Sequence, residues 1–355
     1  MSLPSDSPSF VTLSEIMSQP EAWQVALRAL EDQRVALDRL RAEGRISDIV
    51  FTGCGSPFFL CRTAAALWQG LTGHTAFAYP ASEFLLFPQL TLTKSMPRTL
   101  VVVSRSGETT EALRAVEAFR RATGGLTLAV TCVTDSSLAR LADVCLALPG
   151  TQEEGLAQTR SFTAMLLATQ GLLFALAGHT PGPAFVDLPS LGADLLRDGA
   201  ALAERLGTDL AIDRIYFLGS GLLYGVAGEA MIKTTEMSLS HANAYHFFEF
   251  RHGPMSMVNP QTLIVGFVSA SAHGHEAAVL AQMRQMGARV LALTPVALDA
   301  AVADEQVLLP GALSDEERGP LYLPLVQLMV YHRAVSRGLN PDTPRHLSAV
   351  IKLSL

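Results

Sequence analysis

Thr99-Leu-Val-Val-Val-Ser-Arg-Ser-Gly-Glu-Thr-Thr110 is the stretch whose reading decides the fold. A β-branched run, Thr99–Val103, reads as a buried strand. It leads into the hydroxyls of Ser104, Ser106, Thr109 and Thr110, with Gly107 at the turn, and a helix-like segment from Glu111 to Arg121 follows. Strand, tight turn and helix in that order aim backbone N–H groups and a positive helix terminus at one point, where an anion can sit. Hydroxyls add donors without bulk, and Gly107 lets the backbone come close. No G-x-x-x-x-G-K-[ST] occurs, so this is a phosphate cradle without a Walker lysine. The alternative reading is an ordinary strand–turn–helix junction with polar caps.

Outward from this stretch the plan repeats. Toward the N-terminus, Ile49-Val-Phe-Thr runs into Gly53-Cys-Gly-Ser56 and an alanine-rich helix from Cys61 to Gly70. Toward the C-terminus come strands at Leu126–Thr131 and Val144–Leu148. Strands alternating with helices of this length predict a parallel, doubly wound α/β layer. Ile215-Tyr-Phe-Leu-Gly-Ser-Gly221 mirrors Ile49–Gly55 at an offset of 166 residues. Thr262–Val268, Val290–Thr294 and Gln306–Pro310 mirror the later strands, which predicts an internal duplication. The fold class expected is therefore α/β, with two tandem doubly wound parallel-sheet domains of flavodoxin-like or Rossmann-like type behind an N-terminal helical arm. The expected divisions are an arm over 1–44, domains over 45–185 and 200–345, and a tail over 346–355. His179–Pro189, with Pro181, Pro183 and Pro189, reads as the linker. In the arm, Ser14 is the expected helix cap and Pro20 the expected break. Only the first copy keeps the hydroxyl-Gly-Glu-Thr pattern; the second reads Ser269-Ala-Ser-Ala-His-Gly, so one phosphate site is expected. The glycine pairs 53/55 and 219/221 lack the third glycine of a dinucleotide fingerprint, since Phe58 and Tyr224 stand there.

Composition excludes several partner classes. The 355 residues are 49% hydrophobic and 17% charged, enough for large cores, and the net charge is −7 with no basic run. Nucleic acid is not an expected partner. Cys54, Cys61, Cys132 and Cys145 show no C-x-x-C spacing, which fits a reduced, cytoplasmic protein. The opening Met1-Ser-Leu-Pro is not a signal peptide, and the apolar stretch Met165–Ala177 is too short to cross a bilayer, so no membrane is expected.

A second constellation lies in Glu229-Ala-Met-Ile-Lys-Thr-Thr-Glu236. Glu229, Lys233 and Glu236 fall at i, i+4 and i+7, on one helix face. On spacing alone this is a solvated salt-bridge ladder. Its setting points to chemistry: the segment is weakly charged, and His241, Tyr245, His246, Glu249, Arg251 and His252 follow closely. Phe250-Arg-His-Gly-Pro254 reads as a turn holding His252 in one pose. His241 and His246 are not at i, i+4 and no cysteine cluster joins them, so no metal is expected.

Together these segments resemble the sugar isomerase (SIS) family, in particular the tandem isomerase module of glucosamine-6-phosphate synthase and related deaminases. The carriers are Gly53–Ser56, Ser104-Arg-Ser-Gly-Glu-Thr109, Glu153-Glu-Gly-Leu-Ala-Gln-Thr-Arg-Ser-Phe-Thr163, Glu229…Lys233…Glu236, Arg251-His-Gly-Pro254 and Asn340-Pro-Asp-Thr-Pro-Arg345. The resemblance implies that Ser104, Arg105 through its main chain, Ser106 and Thr109 hold a sugar phosphate, with Ser56 helping. It implies Gln158 on the sugar hydroxyls and Glu236 as the base moving a proton between C1 and C2. Lys233 is its electrostatic neighbour, Glu229 a supporting carboxylate and His252 the ring-opening group, reaching across a homodimer interface. No cofactor is implied. Two departures matter. The synthases carry an N-terminal glutaminase domain opening on cysteine, whereas this sequence opens Met1-Ser2, so that domain is not expected here. Their tail lysine falls here at Ala349, with Lys352 three residues on, so a tail Schiff base is not expected, and Ser348 is the expected tail contact. The implied reaction converts glucosamine 6-phosphate to fructose 6-phosphate and ammonia. Deglycation of a fructosamine 6-phosphate, isomerisation of a ketose phosphate such as tagatose 6-phosphate, and a non-catalytic sugar-phosphate sensor are the alternatives.

Overall fold

The computed structural model describes residues 10–44, 46–348, 350, 351 and 353. Two arm helices, α1 (Val11–Met17) and α2 (Gln19–Ala42), precede the first lobe. That lobe runs β1 (Ile49–Gly53), α3 (Ser56–Thr72), β2 (Ala76–Pro80), α4 (Glu83–Leu86), α5 (Pro88–Thr91), β3 (Thr99–Val103), α6 (Thr110–Thr123), β4 (Leu126–Thr131), α7 (Ser137–Leu141), β5 (Val144–Ala147) and α8 (Arg160–Ala177). The second runs α9 (Leu188–Thr208), β6 (Arg214–Gly219), α10 (Leu223–Ser238), β7 (His241–Tyr245), α11 (Phe247–Phe250), β8 (Thr262–Phe267), α12 (His273–Gln285), β9 (Arg289–Thr294), β10 (Glu305–Leu308), α13 (Asp315–Arg318) and α14 (Pro324–Ser336).

Both sheets are five-stranded and parallel, ordered β2-β1-β3-β4-β5 and β7-β6-β8-β9-β10. These are one order written twice, the flavodoxin-like 2-1-3-4-5, with its switch point between β1 and β3 in one lobe and β6 and β8 in the other. The central strands β1, β3 and β8 are buried along their whole length, which is why they read as continuous apolar runs. The strands absent from the sequence reading, β2 and β7, are the edges beside β1 and β6. Ala76-Phe-Ala-Tyr-Pro80 and His241-Ala-Asn-Ala-Tyr245 are half-exposed, so neither needs an apolar run.

Helix packing repeats with the sheets: α2 lies on α8, and α9 on α14. Several local expectations are corrected. Ser14 is inside α1, its hydroxyl donating to Val11 O, and Phe10 is the N-cap. The expected break falls at Ser18, between α1 and α2, and Pro20 sits in the first turn of α2, where a proline gives up no intrahelical N–H. Pro189 opens α9 for the same reason, and a 3-10 helix over Pro183–Asp187 runs into it, so helix fills much of the interval read as linker. The alanine-rich helix starts at Ser56, not Cys61. The apolar helix starts at Arg160, which makes α8 long and apolar enough to cross a bilayer by length and composition, yet 78% of it is buried inside the fold. It is a core helix.

The arm packs on its own chain. Trp23 Nε1 donates to Thr163 Oγ1 at 2.8 Å, and the Asp342 carboxylate accepts from Val11 N, Thr12 N and Thr12 Oγ1. The lobes meet where α3 crosses α10. There a Cβ on Gly228 would come within 2.2 Å of the Phe59 ring, so only glycine permits that approach.

Candidate active site

The loop after β3 is pinned by its own hydroxyls. Ser104 Oγ accepts from Gly107 N at 3.2 Å, and Ser106 Oγ accepts from Glu108 N at 3.2 Å. Each hydroxyl uses a lone pair on the backbone, which leaves its proton for a ligand. Gly107 has φ +65° and packs so closely that a Cβ would sit 2.2 Å from Ser136 Oγ. Thr109 is the N-cap of α6 without a capping side-chain bond. The acid in this loop is turned away: Glu108 accepts from Ser137 N and Ser137 Oγ at 2.7 and 2.8 Å. Ser104, Arg105, Ser106, Thr109 and Gln158 line one small cleft, with Cys54 and Pro57. Burial pushes the Cys54 thiol up to about 12, which keeps it a neutral wall.

The Arg105 side chain points elsewhere. Its guanidinium meets Glu153, whose side chain is fully buried, at 3.1 Å. Glu153 Oε1 also accepts from Thr159 N and Ser161 N, both at 2.7 Å, and Oε2 from Ser161 Oγ at 2.6 Å. One carboxylate thus ties the phosphate-type loop to the loop that carries Gln158. Sequence reasoning did not foresee this role, because nothing local to Glu153 or Arg105 marks it.

On α10 the three predicted residues converge. Lys233 is buried, with its ammonium bonded to Glu236 Oε1, 3.3 Å from Glu229 Oε1 and 3.3 Å from Ser56 Oγ. Burial works against the ammonium, but the two carboxylates outweigh it and hold its pKa above the usual lysine value. Glu236 is the more accessible acid, at 16% side-chain exposure, while Glu229 is sealed. Ser56 therefore faces Lys233 across the lobe junction, and its neighbour Pro57 lines the cleft.

Glu229 carries a testable consequence. Burial pushes its carboxyl up to about 7, opposed by Lys233 and reinforced by Glu236. The folded chain then holds this proton more tightly than the unfolded chain does. Stabilisation from the group is complete below about pH 4.5 and is lost as pH rises through about 7. Glu229→Gln should therefore gain melting temperature relative to the wild type as pH climbs from about 5 to about 8. A difference that does not move with pH would mean that Glu229 is already ionised in the acid range.

Other predicted residues stand apart. His252 is exposed on the turn after α11, its backbone N–H donating to Glu249 O at 3.0 Å, and no contact joins it to Lys233 or Glu236 among the described residues. His246 stacks on Tyr224 with ring centroids 3.9 Å apart, and the Arg62 guanidinium lies over the same Tyr224 ring, 4.6 Å from its centroid. Ser348 is exposed and donates to Val350 O. Beyond it the tail reaches the start of α6, where Thr110 N donates to Ile351 O at 3.3 Å and Leu353 N to Thr110 Oγ1 at 3.1 Å. Ala349 and Lys352 lie outside the described residues.

The second lobe's matching loop is filled by the protein itself. Glu276 Oε2 accepts from Ser269 N and Oγ, and Asp315 accepts from Ala270 N and Ser271 N. Two carboxylates take the donors that a ligand anion would need.

A family model described as SIS domain matches residues 45–175 and 211–337. A glutamine–fructose-6-phosphate aminotransferase (isomerizing) of Chlamydia abortus is 28% identical over 96% of this chain and 58% of its own length. The chain thus spans under two thirds of that relative. A Streptomyces coelicolor protein named provisionally as a D-galactosamine-6-phosphate deaminase is 31% identical over 96% of this chain and 93% of its own. The solved structure of tagatose-6-phosphate ketose/aldose isomerase from Escherichia coli superposes with a TM-score of 0.84 at 26% identity, covering 96% and 97% of the two chains.

Proposed function

The chain belongs to the SIS domain family, and within it we propose that it is an isomerase and deaminase of an amino-sugar phosphate, converting glucosamine 6-phosphate to fructose 6-phosphate and ammonia. One observation carries this reading. A buried Lys233 with two carboxylates on α10 touches Ser56 of the other lobe, beside the hydroxyl-lined cleft. A sugar anchored there by its phosphate would present its far end to Glu236.

In this reading Ser104, Ser106, Thr109 and the Arg105 main chain take the phosphate, and His252 of a second protomer opens the ring. Its exposure on a turn suits a group that works in a neighbour's site. Glu236 removes the C2 proton, giving an enolamine, and returns it at C1. The product is a C2 imine, which water converts to the ketone with release of ammonia. A carboxylate suits this shuttle because it can take and return one proton without leaving. Lys233, hydrogen-bonded to Glu236 Oε1, holds the carboxyl group in one place for both transfers. The reading thus makes the protein a homodimer, with an arm over 1–44, lobes over 45–185 and 200–345, and a tail over 346–355.

The likeness to tagatose-6-phosphate isomerase favours a second reading, ketose–aldose exchange by the same Glu236 without imine hydrolysis. Incubation with hexose and hexosamine 6-phosphates, assayed for free ammonia and for ketose, separates the two. Ammonia from glucosamine 6-phosphate is the expected result. Ketose–aldose exchange without ammonia would install the second reading, and binding without any product would leave a sensor.

A further inference from the structure

The turn Asn340-Pro-Asp-Thr-Pro-Arg345 and the arm helix α1 take no part in the chemistry above, yet both close on the loop between β5 and α8. Glu15 of α1 is buried, and its Oε1 accepts from Glu154 N at 2.6 Å and Gly155 N at 3.2 Å. A Cβ on residue 155 would stand 2.9 Å from Glu15 Oε2, so glycine is what lets the carboxylate come this close. The next donor goes to the turn. Asp342 O accepts from Leu156 N at 2.9 Å, while the Asp342 carboxylate accepts from Val11 N, Thr12 N and Thr12 Oγ1 of the same arm helix. Ser18, between α1 and α2, accepts from Arg160 Nη1 at 3.0 Å, just past the loop.

Three successive N–H groups, those of residues 154, 155 and 156, are thus taken by residues 15 and 342. An irregular loop has no ladder of its own, so the acceptors that its backbone finds decide where it lies. Two residues further on, the chain enters the cleft beside Ser104, Ser106 and Thr109. We propose that Glu15 and Asp342 are positioning residues of the active site, bracing the 154–156 backbone so that the cleft accepts the sugar as well as its phosphate. Neither touches the ligand. The phosphate donors stand on the loop after β3, so losing the brace should weaken the sugar phosphate and spare inorganic phosphate.

This rests on the sugar-phosphate reading above and gives that site two residues from outside the cleft. Steady-state turnover of glucosamine 6-phosphate, with calorimetric titration of the same sugar and of inorganic phosphate, tests it. Glu15→Ala should raise KM about tenfold and leave kcat within about threefold, because Lys233 and Glu236 stand on the other lobe. Its affinity for inorganic phosphate should stay within about twofold. Glu15→Gln keeps an oxygen for both N–H groups and should bring KM back to within about threefold of the wild type. Gly155→Ala attacks the same contact from the loop and should repeat the Glu15→Ala pattern, so the test survives if Glu15→Ala does not fold. Asp304→Ala removes a carboxylate from Arg284 and Val290 N in the second lobe. As a control for lost stability it should melt earlier with KM within about twofold.

An unchanged KM in the folded brace variants overturns the inference. So does an equal loss of inorganic phosphate binding, or a rise in KM in Asp304→Ala that matches Glu15→Ala. A wild type that binds the sugar phosphate without turnover overturns the functional reading instead. The ratio of the two affinities then tests the brace alone: a tenfold drop in Glu15→Ala upholds it, and an unchanged ratio rejects it.

Discussion

Replacing Glu236 by Gln should lower turnover by about a thousandfold while changing sugar-phosphate affinity by no more than about twofold. The amide keeps the shape of the carboxylate but cannot accept the C2 proton. The groups proposed to grip the phosphate belong to the loop after β3, on the other lobe, and the substitution does not touch them. Lys233 keeps Glu229 Oε1 and Ser56 Oγ as neighbours, each at 3.3 Å, so the substitution does not strip its buried ammonium of polar partners. Exchange of the C2 hydrogen with solvent deuterium, followed by NMR, should disappear together with product formation. Turnover within tenfold of the wild type would move the proton shuttle to another group.

The second large effect is on stability. Glu153→Ala should cost about 3–5 kcal/mol, because it removes the fully buried carboxylate that meets the Arg105 guanidinium at 3.1 Å. It also strips the acceptor from Thr159 N, Ser161 N and Ser161 Oγ at once. Against a typical total stability of about 5–15 kcal/mol this is a large share, and a melting temperature lower by on the order of 10 °C is expected. Glu153→Gln keeps the size and an acceptor oxygen, so its loss should be smaller. Equal melting of Glu153→Ala and wild type would show that water replaces the carboxylate, and the clamp on the Gln158 loop would have to lie elsewhere.

The two substitutions differ in how well the sequence announced their targets. Glu236 was legible because Glu229, Lys233 and Glu236 share one helical face, and helical spacing is a local property. What spacing left open was whether that face meets water or protein. Packing of α10 on α3 answers it by burying Lys233 against Ser56, 177 residues away in sequence. Glu153 had no such local mark. Its partners are Arg105, 48 residues earlier, and three groups of its own loop, and only the folded chain brings them to one carboxylate. The same holds for the silent second cradle. The sequence shows Ser269-Ala-Ser-Ala without the glycine and threonine pattern, but the plug from Asp315 lies 45 residues beyond Ala270.

By itself, the sequence determined the repeated parallel α/β plan, because central strands buried on both faces must be unbroken apolar runs and their turns must be small and polar. It also carried the hydroxyl-rich loop after β3 and the Glu229/Lys233/Glu236 face of α10, since each is written within a dozen residues. Tertiary structure alone decided the edge strands β2 and β7, whose half-exposed faces impose no pattern, and the role of Pro20 and Pro189 as helix openers. It alone decided which charges are sealed from water, because a charge is tolerated in the interior only where distant chain segments deliver its partners.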